Sequence, residues 1–201
     1  KMKGKKLSQY YYVFQHKIIE QYKYVFILDN DNIISGKDIS KLFKLSNKLK
    51  VNLLAPSVRI KNVHYTKVDK FLNYYYNEYK NKNKNYWFMK KDLPTELIPV
   101  YEQCRKYSAW IHMIQRYKIQ EKIIKKVNIV EDGRSIINTS LILKFRKNKQ
   151  FMKLFESGVI FDHVLANLSN FSNIYVVDYI FYIHRDPYKD KVRENFEGKK
   201  I

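Results

Sequence analysis

Apolar and polar positions alternate along the chain in a way that predicts helices and strands in turn. Apolar residues recur at helical spacing over residues 7–22, which predicts an amphipathic helix. The uninterrupted apolar run over residues 24–28 predicts a strand that is covered on both faces. A second helical pattern begins at Ser35 and Gly36, and residues 51–55, which precede Pro56, predict the next strand. This order of strand, helix and strand predicts a βαβ unit with parallel strands and a right-handed crossover.

The later elements follow a less regular pattern. Helices are predicted over residues 67–79, 94–126, 148–156 and 160–168, and strands over residues 127–130, 136–145 and 174–183. Residues 57–66 are expected to form an excursion between elements, and residues 185–201 a charged tail. Because helices and strands alternate along the whole chain, we expect an α/β fold.

Length and composition predict a single domain over residues 1–201. The chain is 45% hydrophobic, which is enough to bury a core, and no repeat or Gly/Ser-rich linker divides it. Its most apolar stretch, residues 174–183, is too short to span a bilayer and contains Asp178. Cys104 is the single cysteine, which fits a reducing compartment, and its apolar neighbours predict a core position. We therefore expect a cytoplasmic location, with the membrane surface as an alternative.

The net charge of +20 has two explanations that the sequence leaves open. A basic surface attracts nucleic acid, an anionic membrane or an anionic substrate such as a nucleotide diphosphate. The basic residues are 32 Lys against 7 Arg, whereas readers of nucleic acid rely on the bidentate Arg fork, so the composition argues against nucleic acid. The same wealth of Lys, Asn, Ile and Tyr is typical of an AT-rich genome, which would give the charge no functional meaning. Peripheral contact with an anionic membrane stays open.

Acidic and polar side chains follow the predicted strands and begin one predicted helix. Asp29 and Asp31 come directly after the first strand, where residues i and i+2 project to the same side and can bind one hard divalent cation. The later members of this set are Asp132, Asn138, Asp162, His163 and His184. Folds of the α/β class place ligands at strand ends and helix starts, so these side chains are candidate site residues.

Four segments, in this order, resemble the motifs of the GT-A glycosyltransferases, which use nucleotide sugars. YKYVFILDNDNII is similar to the strand that ends in the DxD motif of that class. VEDGRSIINTSLILKFRKN resembles the Asn-containing segment of glycosyltransferase families 8 and 34, and FDHVLANL resembles their later Asp-Gln segment. YVVDYIFYIH resembles the strand whose final His completes metal binding. The resemblance covers most of the chain.

The resemblance implies a metal site and a donor. Asp29, Asp31 and His184 would bind Mn²⁺ or Mg²⁺, with the mixed oxygen and nitrogen ligands favouring Mn²⁺. The ion would bridge the two phosphates of a UDP- or GDP-sugar, whose departing diphosphate carries concentrated negative charge. A glycan, a lipid or a protein would accept the hexose.

The resemblance also implies substrate contacts. Asn138 would contact the donor sugar, and Asp132 and His163 would lie near the sugar and acceptor hydroxyls. Asp162 would be the catalytic residue, as a base in an inverting enzyme or as a group that stabilises an oxocarbenium ion in a retaining enzyme.

The fold that the resemblance implies is a GT-A-like, Rossmann-related mixed sheet flanked by helices. GT-A enzymes begin with a nucleotide-binding βαβ segment ahead of the DxD strand, but only 28 residues precede Asp29. Because the sequence begins with Lys1 rather than Met, one expectation is a fragment of a longer protein that supplies those strands. The other is a degenerate relative that lacks them.

Other interpretations of the same residues stay open. Asp29 and Asp31 could form a turn, and Asp162 could cap its own helix and interact with the helix dipole. A metal-dependent phosphoryl-transfer enzyme acting on nucleic acid, such as a nuclease or a nucleotidyltransferase, also uses spaced carboxylates and a basic surface. A non-catalytic basic interaction domain on the same fold is a third possibility, which Ser140 favours because the family has Gly there.

Overall fold

The computed structural model describes residues 6–29, 31–61, 63–81, 90–108, 110–116, 122–131, 133–148 and 161–184. The strands are β1 Tyr24–Phe26, β2 Asn32–Ile33, β3 Leu53–Arg59, β4 Ile124–Lys126, β5 Ile136–Asn138 and β6 Ile174–His184. The α-helices are α1 Lys6–Gln15, α2 Gly36–Leu49, α3 Tyr65–Asn81, α4 Ile98–Tyr107, α5 Thr139–Lys147 and α6 Phe161–Leu168. Short 3₁₀ helices cover Lys17–Gln21, Lys90–Asp92, Thr95–Leu97 and Ile111–Met113. Residues 149–156 of the helix predicted over 148–156, and the predicted tail over residues 185–201, lie outside this part of the chain.

The six strands form one mixed sheet, which confirms the α/β class. The strand order is β1, β5, β3, β6, β2. Strand β4 pairs with the same edge of β6 as β2 does, but it pairs with residues 175–177 of β6, whereas β2 pairs with residues 183–184. Strand β5 is antiparallel to both β1 and β3, so β1 and β3 run in the same direction with β5 between them. The parallel direction predicted for these two strands is therefore confirmed. Strand β3 is parallel to β6, whereas β2 and β4 are antiparallel to β6.

Strand β3 continues through Pro56, although the strand was predicted to end before this proline. Residues 57–59 belong to the strand and not to the predicted excursion, so that boundary was wrong. The pairing with β6 jumps here, from Pro56 opposite Val177 to Ser57 opposite Phe181. A proline has no N–H to donate, and sheets accommodate it at such bulges.

Helices cover both faces of the sheet. Strand residues alternate between the faces, so that Leu53 and Ala55 pack with α1, α5 and α6, whereas Leu54 packs with α2. Helices α3 and α4 form a third cluster around Val58 and Tyr182 near the far ends of β3 and β6. Cys104 lies in this cluster with no exposed surface, which confirms its predicted core position, and burial raises the pKa of its thiol to about 12. Among the described helices, none has the length and apolar content needed to cross a membrane.

Two predicted elements were wrong in type. Residues 136–145 were predicted as a strand, but the strand ends at Asn138, whose side-chain Oδ1 accepts a hydrogen bond from the backbone N–H of Ser140 and caps α5. The apolar residues Leu141, Ile142 and Phe145 that follow have helical spacing, and all three are buried. The helix predicted over residues 94–126 ends at Tyr107, and residues 124–126 form β4 in place of the strand predicted over 127–130.

The directions of the strands give the sheet two distinct ends. At the upper end, β3 finishes at Arg59 and β6 finishes at His184 beside β2, while β1 ends and β5 begins lower down, level with Leu54 of β3. At the lower end, β1, β3 and β6 begin, and β4 and β5 finish. Strand β3 has seven residues, so the two ends are roughly 20 Å apart at about 3.3 Å per residue.

Candidate functional site

The upper end of the sheet brings Asp31 beside His184. Asn32 and His184 are paired residues of β2 and β6, and Asp31 directly precedes Asn32. His184 Nε2 lies 3.3 Å from Asp31 Oδ2, and only 6% of His184 is exposed. The hydrogen bond with His184 lowers the pKa of Asp31, as does the charge of Arg134, while partial burial opposes both. Asp31 is therefore held as a carboxylate next to an imidazole nitrogen.

Buried polar atoms next to this pair lack partners. Asp31 Oδ1 is buried and has no hydrogen-bond partner among the described residues, and the same holds for both side-chain amide atoms of Asn32. Leaving a buried donor or acceptor unsatisfied costs about 1–3 kcal/mol, and native proteins rarely do so without water or a ligand. The upper end of the sheet therefore has an unused carboxylate oxygen that a ligand could engage.

Asp29 is held in place by a tyrosine and a glycine. Tyr10 Oη donates to Asp29 Oδ1 at 2.6 Å, and the backbone N–H of Asp29 donates to the carbonyl of Gly133 at 2.8 Å. Gly133 has a φ of +72°, and a Cβ placed on it would lie 2.4 Å from Asp29 Oδ2. Only a glycine at this position leaves room for the Asp29 carboxylate.

Arg134 is a buried cation close to these acids. Its Nη1 donates to the carbonyl of Tyr107 at 2.8 Å, to Glu131 Oε2 at 2.9 Å and to Tyr182 Oη at 2.8 Å. Its charge lowers the pKa of Asp31, and only 6% of the residue is exposed. Arg134 thus partly compensates for the carboxylates gathered at the upper end of the sheet.

The structure brings two of the three predicted metal ligands together. Within the described ranges, no three side chains from His, Cys, Asp and Glu converge closely enough to hold a metal ion. Asp31 and His184 nevertheless fit a divalent cation, because one buried Asp31 oxygen has no partner in the described part of the chain and the oxygen–nitrogen pair suits Mn²⁺. Protein sites for Mg²⁺ often use only one or two carboxylates and complete the shell with water and substrate phosphates. The predicted third ligand, Asp29, contacts Tyr10 instead.

Asp162 and His163 begin α6, as predicted. Asp162 is 5% exposed, and both of its oxygens accept hydrogen bonds: Oδ2 from Trp110 Nε1 at 2.9 Å and Oδ1 from the backbone N–H of His163 at 3.0 Å. The His163 ring stands edge-on to Trp110 with centroids 5.5 Å apart. These contacts favour the structural role at the helix start, and the catalytic role of Asp162 stays a prediction.

Asn138 lies at the lower end of the sheet, away from the acids. Its backbone N–H donates to the carbonyl of Asn52, its Nδ2 donates to the carbonyl of Val51, and its Oδ1 caps α5. The structure therefore does not bring Asn138 together with Asp31. Asp132, the remaining predicted substrate contact, lies outside the described residues.

Four residues of the site region had no assigned role from the sequence: Tyr10, Trp110, Gly133 and Arg134. The contacts of Tyr10 and Trp110 join residues 19 and 52 positions apart, so no local pattern could indicate them. Gly133 had a signal, because the Asp-Gly pair at residues 132–133 before a strand favours a turn with positive φ.

Comparison with known proteins gave no match: no protein-family model, no curated protein and no solved structure corresponds to this chain.

Proposed function

We propose that this chain is a metal-dependent glycosyltransferase with a GT-A-like fold, which moves a hexose from a nucleotide-diphosphate sugar to a glycan, lipid or protein acceptor. The observation that carries the proposal is the contact of Asp31 with His184, together with a buried Asp31 oxygen that has no hydrogen-bond partner among the described residues. This contact joins Asp31 of the DxD-like segment to His184, the last residue of β6. The resemblance implied that these two residues bind the same metal ion. The mixed α/β fold with its six-stranded sheet is compatible with the proposal.

In this proposal Asp31 and His184 hold Mn²⁺ or Mg²⁺, and Asp29 lies in the same loop as a further carboxylate. The bound ion supplies compensation for the negative charge of the departing nucleoside diphosphate. Arg134 offsets part of the repulsion between the acids before the ion binds, since its charge already lowers the pKa of Asp31. The net charge of +20 attracts the anionic donor from solution.

Asp162 and His163 belong to the proposal as the catalytic and substrate-contacting residues of α6. Because both Asp162 oxygens already accept hydrogen bonds, acceptance of a proton by Asp162 requires its bond with Trp110 to be shared or released. Asn138 is left out, since its side chain caps α5 at the other end of the sheet.

A phosphoryl-transfer enzyme would need one more acid near Asp31. Asp178 is paired with Lys125 at 2.6 Å in the sheet interior, and Glu131 is paired with Arg134 at 2.9 Å. No contact of the described residues favours this alternative.

Calorimetric titration of the full chain with UDP- and GDP-sugars, with and without Mn²⁺, tests the proposal. We expect at least one donor to bind only in the presence of Mn²⁺, and Asp31→Asn to weaken that binding by more than about tenfold, as loss of a metal ligand should. The matched control is Asp38→Asn, which removes a carboxylate that pairs with Lys41 at the start of α2. If no nucleotide sugar binds in an Mn²⁺-dependent way, the proposal is wrong.

A further inference from the structure

The lower end of the sheet forms a continuous surface from five separate segments. These segments are residues 22–23, 48–52, 126–128, 138–140 and 170–173. Backbone hydrogen bonds join them: the N–H of Asn52 donates to the carbonyl of Asn173 at 2.8 Å, and that of Thr139 donates to the carbonyl of Lys23 at 3.0 Å. We call this surface the lower face.

The lower face is basic and has no acid. Its segments contain Lys23, Lys48, Lys50 and Lys126, all exposed, and neither Asp nor Glu. Among the described carboxylates, none pairs with any of these four lysines. The C-terminal end of α2 favours cations and accounts for Lys48 and Lys50, but Lys126 ends β4 and Lys23 lies directly before β1.

The same face exposes aromatic rings, one of them on a strained backbone. Tyr22 is 58% exposed and Phe171 is 48% exposed. Phe171 has a φ of +51°, a left-handed conformation that residues with a Cβ rarely adopt. All four described non-glycine residues with positive φ lie on this face: Lys50, Asn170, Phe171 and Asn173. Unfavourable backbone conformations of this kind tend to occur at functional surfaces.

We propose that the lower face binds the anionic phospholipid surface of a membrane. Lysines near such a surface are attracted by acidic headgroups, and Tyr and Phe rings enter the interfacial layer. Nucleic acid would be recognised best by Arg, and the described residues of the lower face include none. The inference does not rest on the proposed transferase activity, because Asp31 and His184 lie at the other end of the sheet, roughly 20 Å away.

The direct test is cosedimentation of the full chain with phosphatidylcholine vesicles that contain either no phosphatidylserine or about 30% of it, at near-physiological salt. We expect binding only to the anionic vesicles. A variant with Gln at Lys23, Lys48, Lys50 and Lys126 should bind them at least about a hundredfold more weakly, since each lysine contributes roughly fivefold. The matched control places Gln at Lys37, Lys61, Lys67 and Lys91, which are exposed elsewhere, and should lose less than about fivefold.

Phe171→Asn separates a membrane contact from a structural role. Asn tolerates the left-handed conformation, so this variant should unfold at the same temperature as the wild type or higher, yet bind anionic vesicles several-fold more weakly. Equal binding to neutral and anionic vesicles, or equal losses in the two lysine variants, would overturn the proposal. Preferential binding of RNA over anionic vesicles, abolished by the lower-face lysine variant, would also overturn it and assign the face to nucleic acid.

Discussion

Replacement of Gly133 with Ala should destabilise the protein and displace Asp29. A Cβ-bearing residue at a φ of +72° costs about 1–2 kcal/mol relative to Gly. The added Cβ would also lie 2.4 Å from Asp29 Oδ2, so the carboxylate must move and lose its hydrogen bond from Tyr10. A hydrogen bond to a charged group contributes about 1.5–3 kcal/mol. We therefore expect the free energy of unfolding to fall by about 2.5–5 kcal/mol.

Urea denaturation followed by circular dichroism measures this loss, and two further variants divide it into its causes. Gly36→Ala is the matched control, because a Cβ there meets nothing within 4 Å and the position begins α2, where Ala is at least as favourable as Gly. Gly133→Asn tolerates the left-handed backbone but keeps the steric contact, so it should retain most of the loss. In the double variant Gly133→Ala with Asp29→Ala the steric contact is absent. The double variant should therefore lose less stability than the sum of the losses in the single variants Gly133→Ala and Asp29→Ala. A Gly133→Ala protein as stable as the Gly36→Ala control would refute the reasoning.

Three further predictions concern stability. Folding lowers the pKa of Asp31, so the ionised carboxylate stabilises the protein above the ordinary pKa of 3.8 and this stabilisation is lost as the pH falls through the lower pKa of the folded state. The unfolding free energies of the wild type and of Asp31→Asn should therefore converge in acid. Lys125→Met leaves the buried carboxylate of Asp178 unpaired and should cost about 3–5 kcal/mol, most of which Lys125→Met with Asp178→Asn should recover in urea denaturation. Asn138→Ala removes the cap of α5 and should lower the melting temperature by an amount equivalent to about 1 kcal/mol. A change in Mn²⁺ affinity in this variant would show instead that Asn138 belongs to the site of Asp31 and His184.

Hydrophobic patterns predicted the elements whose neighbours agree with their local signals. Helix α2 begins after Ser35, whose side chain accepts a hydrogen bond from the N–H of Asp38, as the Ser-Gly start indicated. Strand β6 covers the predicted residues 174–183 and ends at His184. The prediction for the segment after Asn138 was wrong because an apolar run fits a strand or a buried helix equally well. In the structure the side chain of Asn138 caps a helix here.

The candidate site was predictable from the sequence only through its motifs. The resemblance paired Asp31 with His184, whereas the apolar pattern did not predict β2, the two-residue strand that brings them into contact. The position of the Asp29 carboxylate depends instead on Tyr10 and on the backbone of Gly133, which come together through tertiary packing. The register shift between β3 and β6 and the ion pair of Asp178 with Lys125 likewise have no local sequence signal.

The most direct test of the metal site is a pulsed electron paramagnetic resonance measurement on the full chain with Mn²⁺ and the nucleotide sugar that binds best. Coordination by His184 predicts a coupling from a protein nitrogen in the spectrum of the wild type, and this coupling should disappear in His184→Gln while the protein stays folded. Bound Mn²⁺ without a nitrogen coupling, or a coupling unchanged in His184→Gln, would contradict the assignment of Asp31 and His184 as metal ligands.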